Sequence, residues 1–355
     1  MISALFLAGA VAGAAMAAPS AASPVNPPTV AVSVDSGRKL VSLRIGPFTV
    51  PAGGHQHHGP HAHSGLAPFM TFDWPTDGWL RGVSLRITDA NGRELSRRMI
   101  HHINLVNLDR RQLLYRAPER TIALGQETED IRLPATVGVP VSSGTGMGVV
   151  LAWHNPDPEP LEGVTVELMV EWLPTNSAPR PLDVLPVYID VVDPVARPVD
   201  FDLPAGRQQF SAEFVMPING RIIAAGGHLH DYGTGLTLDQ VDDDGDIHNK
   251  VRLATRQDGD GKLLSVERKY PGIRGDGIRL VAGRRYRITG SYDNTSGAAI
   301  EKGAMVHLVL LLAPDHLADW PALNRDDPEF VRDLRYIEEG VYSTTLLTPT
   351  HLRSQ

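Results

Sequence analysis

Two short phrases recur in the same order along the chain, and this repetition limits the fold more than any other feature. Phe48-Thr-Val-Pro-Ala-Gly53 returns as Phe201-Asp-Leu-Pro-Ala-Gly206, an offset of 153 residues. Trp153-His-Asn155 and the stretch through Leu161-Glu162 return as Tyr292-Asp-Asn294 and the stretch through Ile300-Glu301, at a constant offset of 139. The first half therefore carries 14 more residues between its two phrases, which a loop insertion supplies at little thermodynamic cost. Two tandem copies of one domain follow, joined near Pro194–Pro198.

The local signals are those of short strands. Strand-like runs cover Lys39–Ile45, Gly82–Thr88, Val149–Trp153, Val164–Trp172, Arg221–Ala225, Gly235–Val241, Arg285–Ser291 and Met305–Leu312, separated by turns such as Asp89-Ala-Asn-Gly92 and Asp258-Gly-Asp-Gly261. Val164 to Glu171 alternates apolar and polar residues, which keeps one face dry and one wet. Only Asp327–Glu339 looks helical. With 34 Gly and 28 Pro as punctuation, the expected fold is all-β, two tandem jelly-roll β-sandwich domains. Residues 31–193 would form the first sandwich and 199–315 the second, with 316–355 as a C-terminal extension.

Residues 2–18 are small and apolar, and Ala15-Met16-Ala17 offers a small-x-small cleavage site, so residues 1–18 read as a secretory signal peptide, although they carry no Lys or Arg. The run is short for a membrane span and Pro19 follows at once. Residues 19–30 then form a Pro-rich flexible lead-in. A periplasmic or secreted protein is expected, with no stable membrane insertion once the signal is removed. The charge of −8 provides no basic field for nucleic acid.

No Cys is present, which excludes disulfides, thiolate metal sites and Cys nucleophiles. The 14 His are the resource that remains. His55, His57, His58, His61 and His63 crowd a Gly/Pro-rich loop, which reads as a solvated segment with adventitious metal affinity. His228-Leu-His230 differs, because residues i and i+2 of a strand share a face and two imidazoles can converge on one ion. Met305-Val-His307 has the same spacing, and a thioether beside imidazoles suits copper, Cu(I) above all. His101-His102 are adjacent, so a shared ion requires a bulge or a strand end there. His154 ends an apolar strand at a turn. Taken singly, each has an ordinary structural reading, as core filling for Met305 and a satisfied buried imidazole for His307.

In order, these pieces resemble the copper type II, ascorbate-dependent monooxygenases, the family of peptidylglycine α-hydroxylating monooxygenase and dopamine β-monooxygenase. The resemblance rests on a His-His dyad before an apolar strand, a His ending a strand, a His-x-His and a Met on a late strand, and spans roughly residues 40–312. It implies two copper ions per chain. His101, His102 and His154 would hold an electron-transfer copper in the first domain. His228, His230 and Met305 would hold the oxygen-activating copper in the second, and these three would carry catalysis. The implied reaction is hydroxylation of a C–H bond of a small-molecule substrate by O2, with ascorbate or another external one-electron reductant, and with the two ions separated by an open cleft.

The chain also departs from that family. Its animal members are disulfide-rich. Positions that anchor the peptide carboxylate in the peptide-processing member are here Gly226, His307 and Val309, so a peptide C-terminus is not the expected substrate. His307 shares a face with Met305 and is a further candidate ligand, which would favour a non-enzymatic copper-binding or copper-transfer protein. A zinc hydrolase with a three-histidine site and a binding module with incidental His are the other rivals. Asp242-Asp-Asp-Gly-Asp246 reads as a solvated turn, since it lacks the bidentate Glu of an EF-hand.

Overall fold

In this computed structural model, residues 27–52, 65–125, 128, 130–155, 157–193, 200–273 and 275–339 are described. The expected signal peptide, the His-rich loop at 55–63, the join at Pro194–Pro198 and residues 340–355 lie outside them, as does the lead-in before residue 27. The protein is all-β, as the turn-punctuated sequence predicts, with strands packed as sandwiches.

The first half supplies β1 (Thr29–Asp35), β2 (Leu40–Val50), β3 (Gly65–Leu66), β4 (Met70–Asp73), β5 (Gly78–Thr88), β6 (Ile100–Arg111), β7 (Pro118–Gly125), β8 (Ile131–Arg132), β9 (Val137–Val141), β10 (Gly146–Trp153), β11 (Leu161–Pro174) and β12 (Leu182–Asp183). One sheet runs β1-β2-β11-β5-β9-β12 with β8 on β5, and the other runs β3-β10-β6-β7 with β4 on β10. The alternation predicted for β11 is real: Val164, Val166, Leu168 and Val170 are fully buried, while Glu167 and Glu171 reach Arg86 and Arg81 at 3.4 and 3.1 Å.

The second half supplies β13 (Leu185–Asp190), β14 (Phe201–Leu203), β15 (Gly206–Val215), β16 (Gly220–Leu229), β17 (Gly233–Val241), β18 (Ile247–Gln257), β19 (Leu263–Val266), β20 (Ile278–Leu280), β21 (Arg285–Asn294), β22 (Ile300–Ala304) and β23 (Val306–Pro314). Its sheets run β13-β23-β16-β20 and β15-β21-β17-β18-β19, with β14 paired to β22. The order β10-β6-β7 of the first half thus returns as β21-β17-β18, and β11-β5-β9 returns as β23-β16-β20.

This correspondence explains the repeated phrases. Val50 pairs with Leu161 in the first half and Leu203 pairs with Ile300 in the second, at the offsets of 153 and 139. The Asn155 amide donates to Pro51 O and Glu159 O at 3.0 and 2.9 Å. The Asn294 amide donates to Pro204 O and Ala298 O at 3.1 and 2.8 Å. The two phrases recur together because each pair is a strand contact locked by one asparagine.

The boundary between the halves lies earlier than the Pro-rich segment suggests. β13 pairs with β23 and fills the place beside it that the first part of β2 fills beside β11. The strand that is continuous as β2 is interrupted in the second copy between β13 and β14. β13 therefore belongs to the second sandwich, and the expected first-domain limit of 193 moves to before Leu185. β12, in the first sandwich, and β13, in the second, are separated by Val184 alone, which is fully buried and donates its N–H to Gly138 O at 3.0 Å.

The C-terminal extension turns back to the first half. The Trp320 indole donates to Arg111 O at 2.9 Å. The helix α1 (Pro328–Glu339), close to the predicted 327–339, places the buried Asp333 against Arg120 of β7, with bonds of 2.6 and 3.0 Å. No helix among the described residues is long and apolar enough to cross a membrane.

Candidate metal centre

β6 enters its sheet through a bulge. Ala152 pairs with His102 and Trp153 with Ile100, so His101 is the extra residue that the partner strand skips. This is the irregularity that adjacent histidines require if they are to meet. Their Nδ1 atoms lie 3.1 Å apart and their ring centroids 5.3 Å apart. Two nitrogens on one ion at metal–imidazole distances of about 2.0–2.1 Å are about 3 Å apart for a ligand angle near 100°, so the spacing fits two donors to one metal. His154 follows β10 and donates its backbone N–H to Met99 O at 2.8 Å, beside the start of β6.

In the second sandwich, β16 pairs with β23 so that His228 lies opposite His307 and Leu229 opposite Val306. Directly opposed residues project from the same face of a sheet, which sets His228 beside His307. His230 and Met305 lie just past the ends of these two strands. The Tyr292 hydroxyl clasps both of these backbones. It accepts from His230 N–H and Met305 N–H, each at 3.1 Å, and donates to Met305 O. Burial pushes the Tyr292 phenol well above its usual pKa, so this hydroxyl keeps its proton.

The two sandwiches bring their histidines together. The His101 and His230 rings, one from each half, have centroids 6.4 Å apart, and the His230 and His228 rings 5.3 Å. His102, His101, His230 and His228 thus form one chain of imidazoles across the boundary, in place of the open cleft implied by the resemblance. His101, His102, His228, Met305 and His307 all line a cavity of about 650 Å3 between the halves, and His154 and His230 do not. Among the described residues no three His, Asp or Glu side chains are gathered tightly enough to hold a metal ion. As a donor set, paired imidazoles with a nearby thioether and no thiolate suit copper.

Sequence reasoning missed three residues here. Asp190, buried at the end of β13, is opposite His307 in the register and its carboxylate bonds the His307 Nδ1. A carboxylate on Nδ1 places the ring proton there and leaves the Nε2 lone pair for other use. The Tyr188 ring packs on His307 with centroids 4.7 Å apart. Nothing in the spacing of residues 190 and 307 signals this pair, since it depends on β13 crossing to the second sandwich. Tyr292 was visible only as a repeat residue.

No family model and no curated protein matches the chain. Among solved structures it is similar to PNGF-II in a P21 crystal form, with TM-score 0.35 and 11% identity over 78% of this chain and 66% of that one. The mavirus major capsid protein gives TM-score 0.28 and 9% identity over 86% and 93%. The chain spans just under two thirds of the length of PNGF-II.

Around the imidazoles the cavity is fixed by charge pairs. Burial opposes the charge on Arg120, but the Asp333 carboxylate outweighs it and raises the guanidinium pKa. Glu119, fully buried, takes both ends of Arg110 at 2.6 and 2.7 Å. The Arg120–Asp333 pair holds β7 to α1 beside the cavity, and the Arg110–Glu119 pair ties β6 to β7, each buried carboxylate facing a guanidinium.

Proposed function

We propose that the chain is an exported copper-dependent monooxygenase of the kind that the His-His, His-x-His and Met pattern resembles. It would hydroxylate a C–H bond of an organic substrate with O2, using electrons from ascorbate or another external one-electron reductant. The observation that carries this reading is the approach of His101 to His230, 6.4 Å between ring centroids, beside a cavity large enough for a small molecule. Copper, when bound, supplies one-electron redox chemistry and O2 activation, and a thioether donor favours its reduced state. His101, His102 and His154 would hold one ion, and His228, His230 and Met305 the other. Tyr292 fixes the spacing of His230 and Met305 through their backbones. Asp190 holds the proton on His307 Nδ1 and fixes that ring beside the substrate space.

A second reading is a non-enzymatic copper-binding or copper-transfer protein. It is favoured by the contiguity of the imidazoles, which suits one closely coupled metal cluster, and by His307 standing on the same face as Met305.

The test is copper per chain in protein lacking residues 55–63, together with His154→Ala and Met305→Ala in that background. Two coppers are expected. His154→Ala should lose one, and Met305→Ala should weaken Cu(I) at the other and abolish substrate-dependent O2 consumption. Two coppers with no oxygen consumption across a substrate panel would favour the second reading. No tight copper would refute both.

A further inference from the structure

The sheet face that carries the second set of histidines is graded along its length. In the register of β13, β23 and β16, Asp190, His307 and His228 form one row. Tyr188, Val309 and Gly226 form the next, and Pro186, Leu311 and Ala224 the one after. Residues opposite one another share a face, and all nine line the cavity. The alternate residues Val306, Leu308, Leu310 and Leu312 point into the sandwich core and are at most 1% exposed. The cavity floor therefore passes from imidazole to purely apolar within two rows.

Gly226 is the odd member. Its neighbour Gly227 is forced, because a Cβ there would lie 2.4 Å from Leu236 and 2.7 Å from His307 O. A Cβ on Gly226 would meet nothing nearer than Arg268 Cγ at 3.8 Å. A glycine in mid-strand weakens the strand and exposes backbone, and here packing does not require it. It leaves the floor low where a ligand would lie against the sheet.

Two cations of the cavity wall are held by carboxylates, Arg120 by Asp333 and Arg81 by Glu171 at 3.1 Å. Arg268 reaches the Asp130 backbone carbonyl at 3.4 Å, and the Asp190 carboxylate is bonded to the His307 ring. Over the rows of Val309, Gly226, Leu311 and Ala224 a charged ligand group would be desolvated with no counter-ion beside it.

We propose that this cavity takes an uncharged, elongated apolar molecule that lies along β16 and β23, with one end over the His228–His307 row. Its apolar length covers Val309, Leu311 and the open floor at Gly226, and a single polar atom at the reacting end meets the His307 ring. That the molecule is a substrate rests on the monooxygenase reading above, whereas its binding does not.

The test uses the full chain, with copper stripped by chelator and again with copper restored. The neutral fluorophore N-phenyl-1-naphthylamine is titrated in, then displaced with 1-decanol or with decanoate. Saturable binding near one probe per chain is expected, with the alcohol displacing it at least tenfold more effectively than the carboxylate. Gly226→Leu, which fills the floor, and Val309→Asp, which charges it, should each weaken the probe at least tenfold while the circular dichroism stays native. Absence of saturable binding, preference for decanoate, or indifference of natively folded variants would overturn the proposal. A chain that binds the probe as expected but holds no copper would keep this site and lose the monooxygenase.

Discussion

The side-chain amides of Asn155 and Asn294 do the same work in two different sandwiches. Each ties a proline carbonyl of the repeat's opening phrase to a carbonyl four residues downstream of itself, and each accepts a backbone N–H two residues on, from Asp157 and Ser296. The residues are 2% and 1% exposed, so water cannot replace them. Asn294→Ala should lower the stability of the second sandwich by about 2–3 kcal/mol, because buried carbonyls lose their donor. Asn155→Ala should do the same to the first. Guanidinium titrations of the two variants check this, and an effect below about 0.5 kcal/mol, within the range of ordinary surface substitutions, would show that the latch does not hold the sandwiches.

Tyr292→Phe removes a hydroxyl that serves His230 and Met305 at once. The two N–H groups and one carbonyl lose their partner in a buried setting, which should cost about 2–4 kcal/mol. The backbones bearing His230 and Met305 would then no longer be held at one distance. If the chain binds two coppers as proposed, affinity at the His228–His230–Met305 site should fall by at least tenfold while the ion assigned to the first domain is retained. Equal loss at both sites would point to general unfolding instead.

Several phenols are buried. Burial raises Tyr115, Tyr188, Tyr292 and Tyr286 above the ordinary value, with the Asp190 charge adding to the shift at Tyr115. A group whose folded pKa is raised holds its proton while the unfolded chain loses it. The stability it contributes is complete below about pH 10 and is lost as pH climbs toward the folded value. Stability should therefore fall from about pH 10 upward, and a spectrophotometric titration of phenolate should show these four tyrosines ionising only as the protein unfolds. Smooth ionisation of all eight tyrosines in natively folded protein would contradict it.

Asp333 is 2% exposed, and its two carboxylate oxygens take both terminal nitrogens of Arg120. Asp333→Ala should cost about 3–5 kcal/mol, since it strands a buried cation. The double variant Arg120→Met with Asp333→Leu should recover most of that loss. Thermal melts together with trypsin cleavage near α1 check both, and a single variant as stable as the parent would show that the extension is not held by this pair.

The repeat and the strand runs were legible in the sequence, because each is a local pattern with a fixed period or spacing. The adjacent histidines left a bulge and a strand end equally open, and the structure shows the bulge. The convergence of His101 with His230 was not legible. It depends on how two sandwiches face each other, and no spacing between residues 101 and 230 encodes that. Asp190 was hidden for a related reason. The prolines after it look like a boundary, so the residue reads as the end of the first domain when its strand in fact belongs to the second. Asp242–Asp246 behaves as the solvated turn its composition suggests, with Asp242 accepting from Gln240 and His248.

Val184 has a consequence for how a ligand comes and goes. Enzymes built of two bodies often admit substrate by swinging one away from the other about a few freely rotating residues. Here one buried residue separates a strand of one sandwich from a strand of the other, and its own N–H is bonded. On the far side α1 straps the second body to the first. Fastened at both ends in this way, the two bodies show no hinge at these joints among the described residues. On the monooxygenase reading proposed above, entry and release would fall to side chains at the cavity mouth, and the imidazoles would keep their separation while substrate comes and goes.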